Sequence, residues 1–441
     1  MKTFVRILFY VWMMASLPYA LQAQNHRLIV TTDIGGTDPD DEESMVHLLT
    51  MANDVDIEGL ICQMAFVKSP IGIDVLGRII DAYEEALPCL RKHDKRYPSA
   101  DALRQVAVTG QPVVGLAGVG QGHDTPGSEL IIRAVDKKDN RPIWLTAWGG
   151  MNTIAQALWK VKTTRSEAEV SRFLSKIRIY DVLGQCDAGA WIAKTFPTLL
   201  YIRNIDVYGW GPSDEWIRAK VQPRGALGKV YPMRRWAAEG DTPAFLYVVN
   251  NGLNLPDSIS AASWGGRFAQ ERKANVRGMD WVAKNHLDES VHDDYYMHVN
   301  TSEGGASISR WKSAILNDFE ARMQWSVCAD YAAANHHPVV VMAPETKGSR
   351  QPVYLKTTPG KELTLDASRS RDPDGDVLSW HWYVIEEVST VRCTLQGETS
   401  ARCTLSVPRQ VSKGVIHLIA ECCDAGSPAL ASYRRIIIEV K

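Results

Sequence analysis

Basic charge is not in excess in this sequence: 49 lysines and arginines face 51 aspartates and glutamates, for a net charge of −2. A broad nucleic-acid surface needs a basic face, so that class of partner is excluded. Beyond the first two dozen residues no apolar run approaches the roughly 20 residues that a membrane span requires, and none is expected. No P-loop pattern occurs. No closely spaced cysteine pair is matched by a second pair or by spaced histidines, which removes the common structural zinc sites. Internal repeats and low-complexity tracts are also missing.

What is present begins with a leader. Lys2 and Arg6 precede an apolar run from Ile7 to Tyr19, which closes on Ala20-Leu21-Gln22-Ala23. That order of charge, apolar core and small residues predicts a signal peptide over residues 1–23 and a periplasmic or extracellular protein. No cysteine follows Ala23, so a lipid anchor is not expected. Export permits disulfides. Of the eight cysteines, Cys393, Cys403, Cys422 and Cys423 crowd the end. Cys393 and Cys403 flank a predicted hairpin and are the favoured bridge. The fourteen tryptophans suit a large core or platforms for sugar rings, with core packing the better reading of any single one.

Two compositional regimes divide the chain. From His26 to Thr32 a β-branched run reads as a buried parallel strand. It ends on Asp33-Ile34-Gly35-Gly36, and a helical pattern follows through Ser44–Leu49. Further strands are predicted at 57–61, 143–147, 177–182 and 199–202, with helices at 71–86, 153–160 and 188–194 between them. Such alternation predicts an α/β domain with a mostly parallel sheet, over residues 24–343. Past Pro344 helical signals vanish. Short strands at 362–365, 378–384, 403–407, 415–422 and 432–440, separated by turns such as Asp372-Pro373-Asp374-Gly375, predict an immunoglobulin-like β-sandwich over residues 344–441.

The chemistry gathers after the first strand. Asp33, Asp38, Asp40, Asp41, Glu42 and Glu43 fall within one short stretch. Ligands of open parallel sheets bind beyond the carboxyl ends of the strands, and this cluster lies there. Crowded carboxylates repel one another unless protons or a cation compensate. A hard cation with oxygen ligands, calcium foremost, meets that need. Complementing the helix dipole accounts for Glu42 and Glu43, but not for Asp33 at the strand end with glycines behind it.

Thr32-Asp33-Ile34-Gly35 followed by Asp40-Asp41 resembles the N-terminal aspartate motif of nucleoside hydrolases. Trp148-Gly149-Gly150-Met151-Asn152-Thr153 resembles their Gly-Pro-Leu-Thr-Asn loop, and Gly240-Asp241-Thr242-Pro243 the segment carrying their last metal aspartate. The resemblance is nearest to bacterial proteins described as cellulose-binding, which join such a domain to an immunoglobulin-like one. It implies calcium held by Asp33, Asp41, Asp241 and the backbone carbonyl of Trp148. Asp33 would also act as general base on a calcium-bound water, with Asp40 on substrate hydroxyls. The aspartate pair lies seven and eight residues after Asp33, farther than the family's four and five, so Asp38 is a second candidate for the role of Asp40. Gly240 stands where many relatives have histidine. Asn152 comes from the second motif as a further substrate contact.

Other candidates come from position alone. Gln185 and Asp187 follow a predicted strand and would face the same crevice. Trp210 and Trp264, flanked by glycines, are candidate stacking platforms. His123, Asp124, His286, His292, Asp293 and Asp294 are candidate acids, each better read as a surface or capping residue. The Asp-Pro-Asp-Gly segment is read as a tight turn ahead of a weak calcium site. Taken together, the sequence predicts a secreted metal-dependent hydrolase of glycosidic or N-glycosidic bonds. The alternative is a non-catalytic binder of cellulose or another plant polysaccharide on the same scaffold. The expected partner is a carbohydrate or nucleoside-like small molecule, and a homo-oligomer is left open.

Overall fold

The computed structural model describes residues 25–64, 71–278 and 292–441. The leader and His286 lie outside the described residues. The N-terminal domain is built on strands β1 (Arg27–Thr32), β2 (Asp56–Cys62), β3 (Ala107–Thr109), β4 (Ile143–Ala147), β5 (Ile177–Val182), β6 (Leu200–Asn204), β7 (Lys273–Ala274) and β8 (Tyr296–Val299). They form one sheet in the order β3-β2-β1-β4-β5-β6-β8-β7, parallel except for the β7–β8 pair. β1 is buried along its whole length, which is why its sequence is apolar without alternation. Its side chains still divide by face. Leu28 and Val30 enter one core with the Asp40–Thr50 and Ile73–His93 helices, and Ile29 enters the other with the Asn152–Thr164 helix. Successive strand residues point to opposite faces, so one strand feeds both layers.

The strand order reverses at β1. The chain passes from β1 to β2 on one side and reaches β4 on the other. A crevice opens where the loops leaving β1 and β4 diverge, the usual ligand position in such sheets.

Strands β9 (Val353–Thr357), β10 (Glu362–Asp366), β11 (Ser379–Val384), β12 (Thr394–Gln396), β13 (Arg402–Ser406), β14 (Gly414–Cys423) and β15 (Ala431–Val440) form the second domain. A sheet β10-β13-β12 faces a sheet β11-β14-β15-β9. Trp382, Leu405, Ile416, Leu418, Ile436 and Ile438 fill the space between them. Val340 and Met342, just ahead of Pro344, already belong to this core.

The expected Cys393–Cys403 bridge is not formed, and the cysteines are free thiols. Thr394 pairs with Ser406 across β12 and β13, so the antiparallel register carries Cys393 toward position 407, while Cys403 pairs with Leu365.

The domains are joined by buried polar contacts. Arg435 of β15 donates from Nε to the Leu253 carbonyl and from Nη2 to the Ala262 carbonyl, each at 2.8 Å. Tyr433 packs edge-on against Trp264. Gly252 lets the two backbones touch, since a Cβ there would lie 2.1 Å from the Tyr433 carbonyl oxygen. Arg350 reaches Asp54 at 2.7 Å. Asp54 also pairs with Arg322 at 2.6 Å, and Arg322 with Asp318 at 2.7 Å.

Candidate functional site

Asp33 is the first residue beyond β1. Its carbonyl accepts from the Gly36 amide at 3.1 Å, and the Ile34 amide donates to the Thr32 hydroxyl at 3.0 Å, turning the chain sharply. The loop then enters the Asp40–Thr50 helix, whose first turn carries Asp40 and Asp41. Exposed amides and the helix dipole favour anions there. The Thr32 hydroxyl donates to Asp41. Asp241 arrives from the far side of the sequence, at the start of the Thr242–Leu246 helix, and its side chain makes no cap hydrogen bond. Two glycines make room. A Cβ at Gly149 would lie 2.4 Å from Asp33 Oδ1, and one at Gly240 would lie 2.6 Å from Asp40 Oδ2. The second explains why this chain has glycine rather than a larger residue before Asp241.

The carboxylates of Asp40, Asp41 and Asp241 each offer an oxygen within 4.8 Å of the others, and all three residues are buried. Asp33 stands beside them, lining the same cavity. The expected ligands Asp33, Asp41 and Asp241 share this one cavity, but Asp40 rather than Asp33 completes the triad of close oxygens. Burial pushes the Asp33 carboxyl up to about 6, and that of Asp38 also to about 6. Asp40, Asp41 and Asp241 rise well above the usual carboxylate range, first from burial and then from one another's charge.

These groups line a cavity of about 420 Å³ together with Thr37, Asp38, Trp148, Val182, Leu183, Gln185, Tyr208, Trp236 and Gly240. No lysine or arginine is among the lining residues. Oxygens gathered about 2.4 Å from one ion span about 5 Å at most, so the triad's spacing fits a hard cation, and its uncompensated charge calls for one. The buried Asp40, Asp41 and Asp241 cluster could thus hold a metal ion.

Behind the triad lies a buried polar network that the sequence reading missed. Glu43 accepts from the Glu239 amide at 2.7 Å, Glu239 pairs with His47 at 2.7 Å, and the Tyr231 hydroxyl donates to Glu239 at 2.6 Å. It holds Glu239 at a φ of 52°, a strained value for a residue with a side chain, two residues before Asp241. Glu43 and His47 lie on the inward face of the acidic helix, three and seven residues after Asp40, and that spacing was the available signal.

The remaining candidates separate. Gln185 reaches the cavity and donates from Nε2 to the Trp148 carbonyl at 2.5 Å, so this carbonyl already serves one hydrogen bond. Asn152 does not line the cavity. It is buried and donates to the Met64 and Val113 carbonyls, pinning two loops. Asp187 also lies off the cavity, its Oδ1 accepting from the Leu116 amide at 2.9 Å. Trp210 and Trp264 are not stacking platforms: at 0% and 2% exposure they belong to the core beneath the sheet. Flanking glycines let the chain pack closely around these rings. His123, Asp124, His292, Asp293 and Asp294 do not line the cavity. Asp124 pairs with Lys160. In the sandwich, Asp372 accepts from the Asp374 and Asp376 amides and closes the Asp-Pro-Asp-Gly turn.

Comparison with known proteins agrees with this geometry. Residues 27–268 match the family model described as cellulose-binding Sde182, nucleoside hydrolase-like domain. Residues 362–440 match the C-terminal domain of the cellulose-binding protein Sde0182. A nucleoside hydrolase-related hypothetical protein from Saccharophagus degradans, associated with carbohydrate metabolism, is 45% identical to the chain. The match covers 95% of this chain and 100% of that one, with a TM-score of 0.90. The PKD domain from the KIAA 1837 protein matches at 21% identity over 20% of this chain and 81% of its own, but with a TM-score of only 0.16. No curated protein matches. With more than half its length under the first model and a relative aligned almost end to end, the chain belongs to the cellulose-binding Sde182 family, with its nucleoside hydrolase-like domain followed by the Sde0182 C-terminal domain.

Proposed function

We propose that this protein binds carbohydrate in the acidic cavity at the end of β1, with a divalent cation, calcium foremost, held by Asp40, Asp41 and Asp241. The observation that carries this reading is three buried carboxylates sharing a cavity that no lysine or arginine lines. A bound cation offsets that charge and offers coordination to vicinal hydroxyls. Asp33 and Asp38 are then free to accept hydrogen bonds from further hydroxyls, and Gln185 fixes the Trp148 backbone beside them. The family's cellulose-binding description and the carbohydrate association of the Saccharophagus relative support a glycan as ligand. The leader-like segment over residues 1–23 supports export, so the proposed site of this binding is the periplasm or outside the cell.

A second reading, hydrolysis of a glycosidic or N-glycosidic bond, is favoured by Asp33. Its carboxylate lines the cavity beside the triad, a position suited to taking a proton from an attacking water. Titration calorimetry of the full chain with cello-oligosaccharides and with nucleosides, in calcium and in chelator, distinguishes the two. Calcium-dependent binding without product supports the binder. Product that disappears in Asp33→Ala supports the hydrolase. Failure to bind calcium, or binding unaffected by Asp241→Asn, rejects the site.

A further inference from the structure

Resting on the carbohydrate reading, we propose that Trp236 and Tyr208 form a stacking subsite at the cavity mouth. It would receive the second glycosyl unit of a chain whose terminal unit enters the acidic floor. Exposure rises steadily from floor to mouth. Asp40, Asp41 and Asp241 are buried, Tyr208 is 37% exposed and Trp236 is 61% exposed. Trp236 is the only tryptophan left exposed among the described residues. An indole held in water forgoes the burial that draws the other described tryptophans wholly or partly inward. It is also held in place. The Arg235 guanidinium lies 4.7 Å from its ring centroid, and Arg235 donates to the Thr37 carbonyl of the acidic loop at 3.3 Å. The aromatic is thereby tied to the loop that carries Asp38 and Asp40. Tyr208 packs over Gly240, its ring 3.0 Å from where a Cβ would stand.

The chemistry of the two zones differs as the two parts of a sugar do. Carboxylates and a cation suit hydroxyls, and an indole suits the apolar C–H face of a pyranose ring. A closed polar floor under an aromatic mouth receives a chain end rather than the middle of a chain. A cavity of about 420 Å³ lies in the usual range for small-molecule sites.

The test is titration of the calcium-loaded full chain with glucose and with cellotetraose, for the wild type, Trp236→Ala and Trp236→Phe. The expected result is that Trp236→Ala weakens cellotetraose binding about tenfold or more, while Trp236→Phe recovers most of it. Calcium affinity, and any affinity for glucose, should be unchanged in both variants. Cellotetraose binding that is equal in wild type and Trp236→Ala would overturn the subsite and leave the carbohydrate reading intact. A calcium-loaded wild type that binds no cellotetraose would overturn both. A wild type that binds glucose as tightly as cellotetraose would confine recognition to the floor and remove the subsite alone.

Discussion

Two of the buried acidic clusters among the described residues respond to burial in opposite ways. Asp54 and Asp318 lie at the junction of the domains, ringed by Arg96, Arg322, Arg350 and His337. Despite burial, the neighbouring guanidinium groups hold the carboxyls of Asp54 and Asp318 well below the usual range. Asp40, Asp41 and Asp241 are equally buried but have only one another, so their carboxyls lie well above it. The contrast teaches that burial alone does not mark a ligand site. A buried carboxylate with its own arginine is part of the framework; a set without one is relieved only by protons or by a cation.

The contrast can be broken most forcefully at Arg322. Arg322→Met removes the guanidinium shared by Asp54 and Asp318, leaving them only Arg96, Arg350 and His337, and should cost about 3 kcal/mol of stability in chemical denaturation. Asp241→Asn should act the other way on the cation-free protein. It relieves repulsion and raises the melting temperature, while abolishing the rise that calcium gives the wild type. That rise should correspond to about 2.7 kcal/mol at a calcium concentration one hundred times the dissociation constant.

Acidity sharpens the same comparison. Asp33 and Asp38 have folded values of about 6, raised from the ordinary 3.8, so the folded state holds more protons than the unfolded one across that interval. Their contribution is fully present below about pH 4 and is lost as pH rises through about 6. Asp54 and Asp318 are depressed, so theirs is present above about pH 4 and lost only in stronger acid. Thermal melts in chelator should therefore show higher stability at pH 5 than at pH 7.5, and saturating calcium should remove or reverse that order. The smallest effect is expected from Gly149→Ala. Its Cβ would press on Asp33 Oδ1, and calcium affinity measured by titration should fall roughly tenfold or less.

Much of the domain order and the acidic site was legible in the sequence. An apolar run ending on Asp33-Ile34-Gly35-Gly36, followed by Asp40-Asp41, places carboxylates at the mouth of a parallel sheet by local rules alone. The convergence of Asp241 was legible only through the family resemblance, because two hundred residues separate it from Asp41. The aromatic mouth was not legible. Trp210, Trp264 and Trp236 all stand in irregular segments, and which of them is exposed depends on how distant segments pack. Trp264 is covered by Tyr433 of the other domain, and no local pattern announces that. Asp187 and Asn152 failed as ligand contacts for a related reason. Both follow strands toward the crevice, yet their polar atoms are spent on backbone groups of neighbouring loops. The pairing of Cys393 with Cys403 failed on register, which a hairpin's sequence fixes only when its turn is known.

The grip of Arg435 on Leu253 and Ala262 bears on how this architecture can be inherited. Those carbonyls belong to the stretch that follows the Thr242–Leu246 helix, and so the anchor of Asp241. Cutting away the sandwich would unveil Trp264, orphan two carbonyls and loosen the very segment that delivers an aspartate to the pocket. The sandwich is thus a buttress rather than a detachable appendage, and recombination that shuffled it onto another partner would have to supply an equivalent brace.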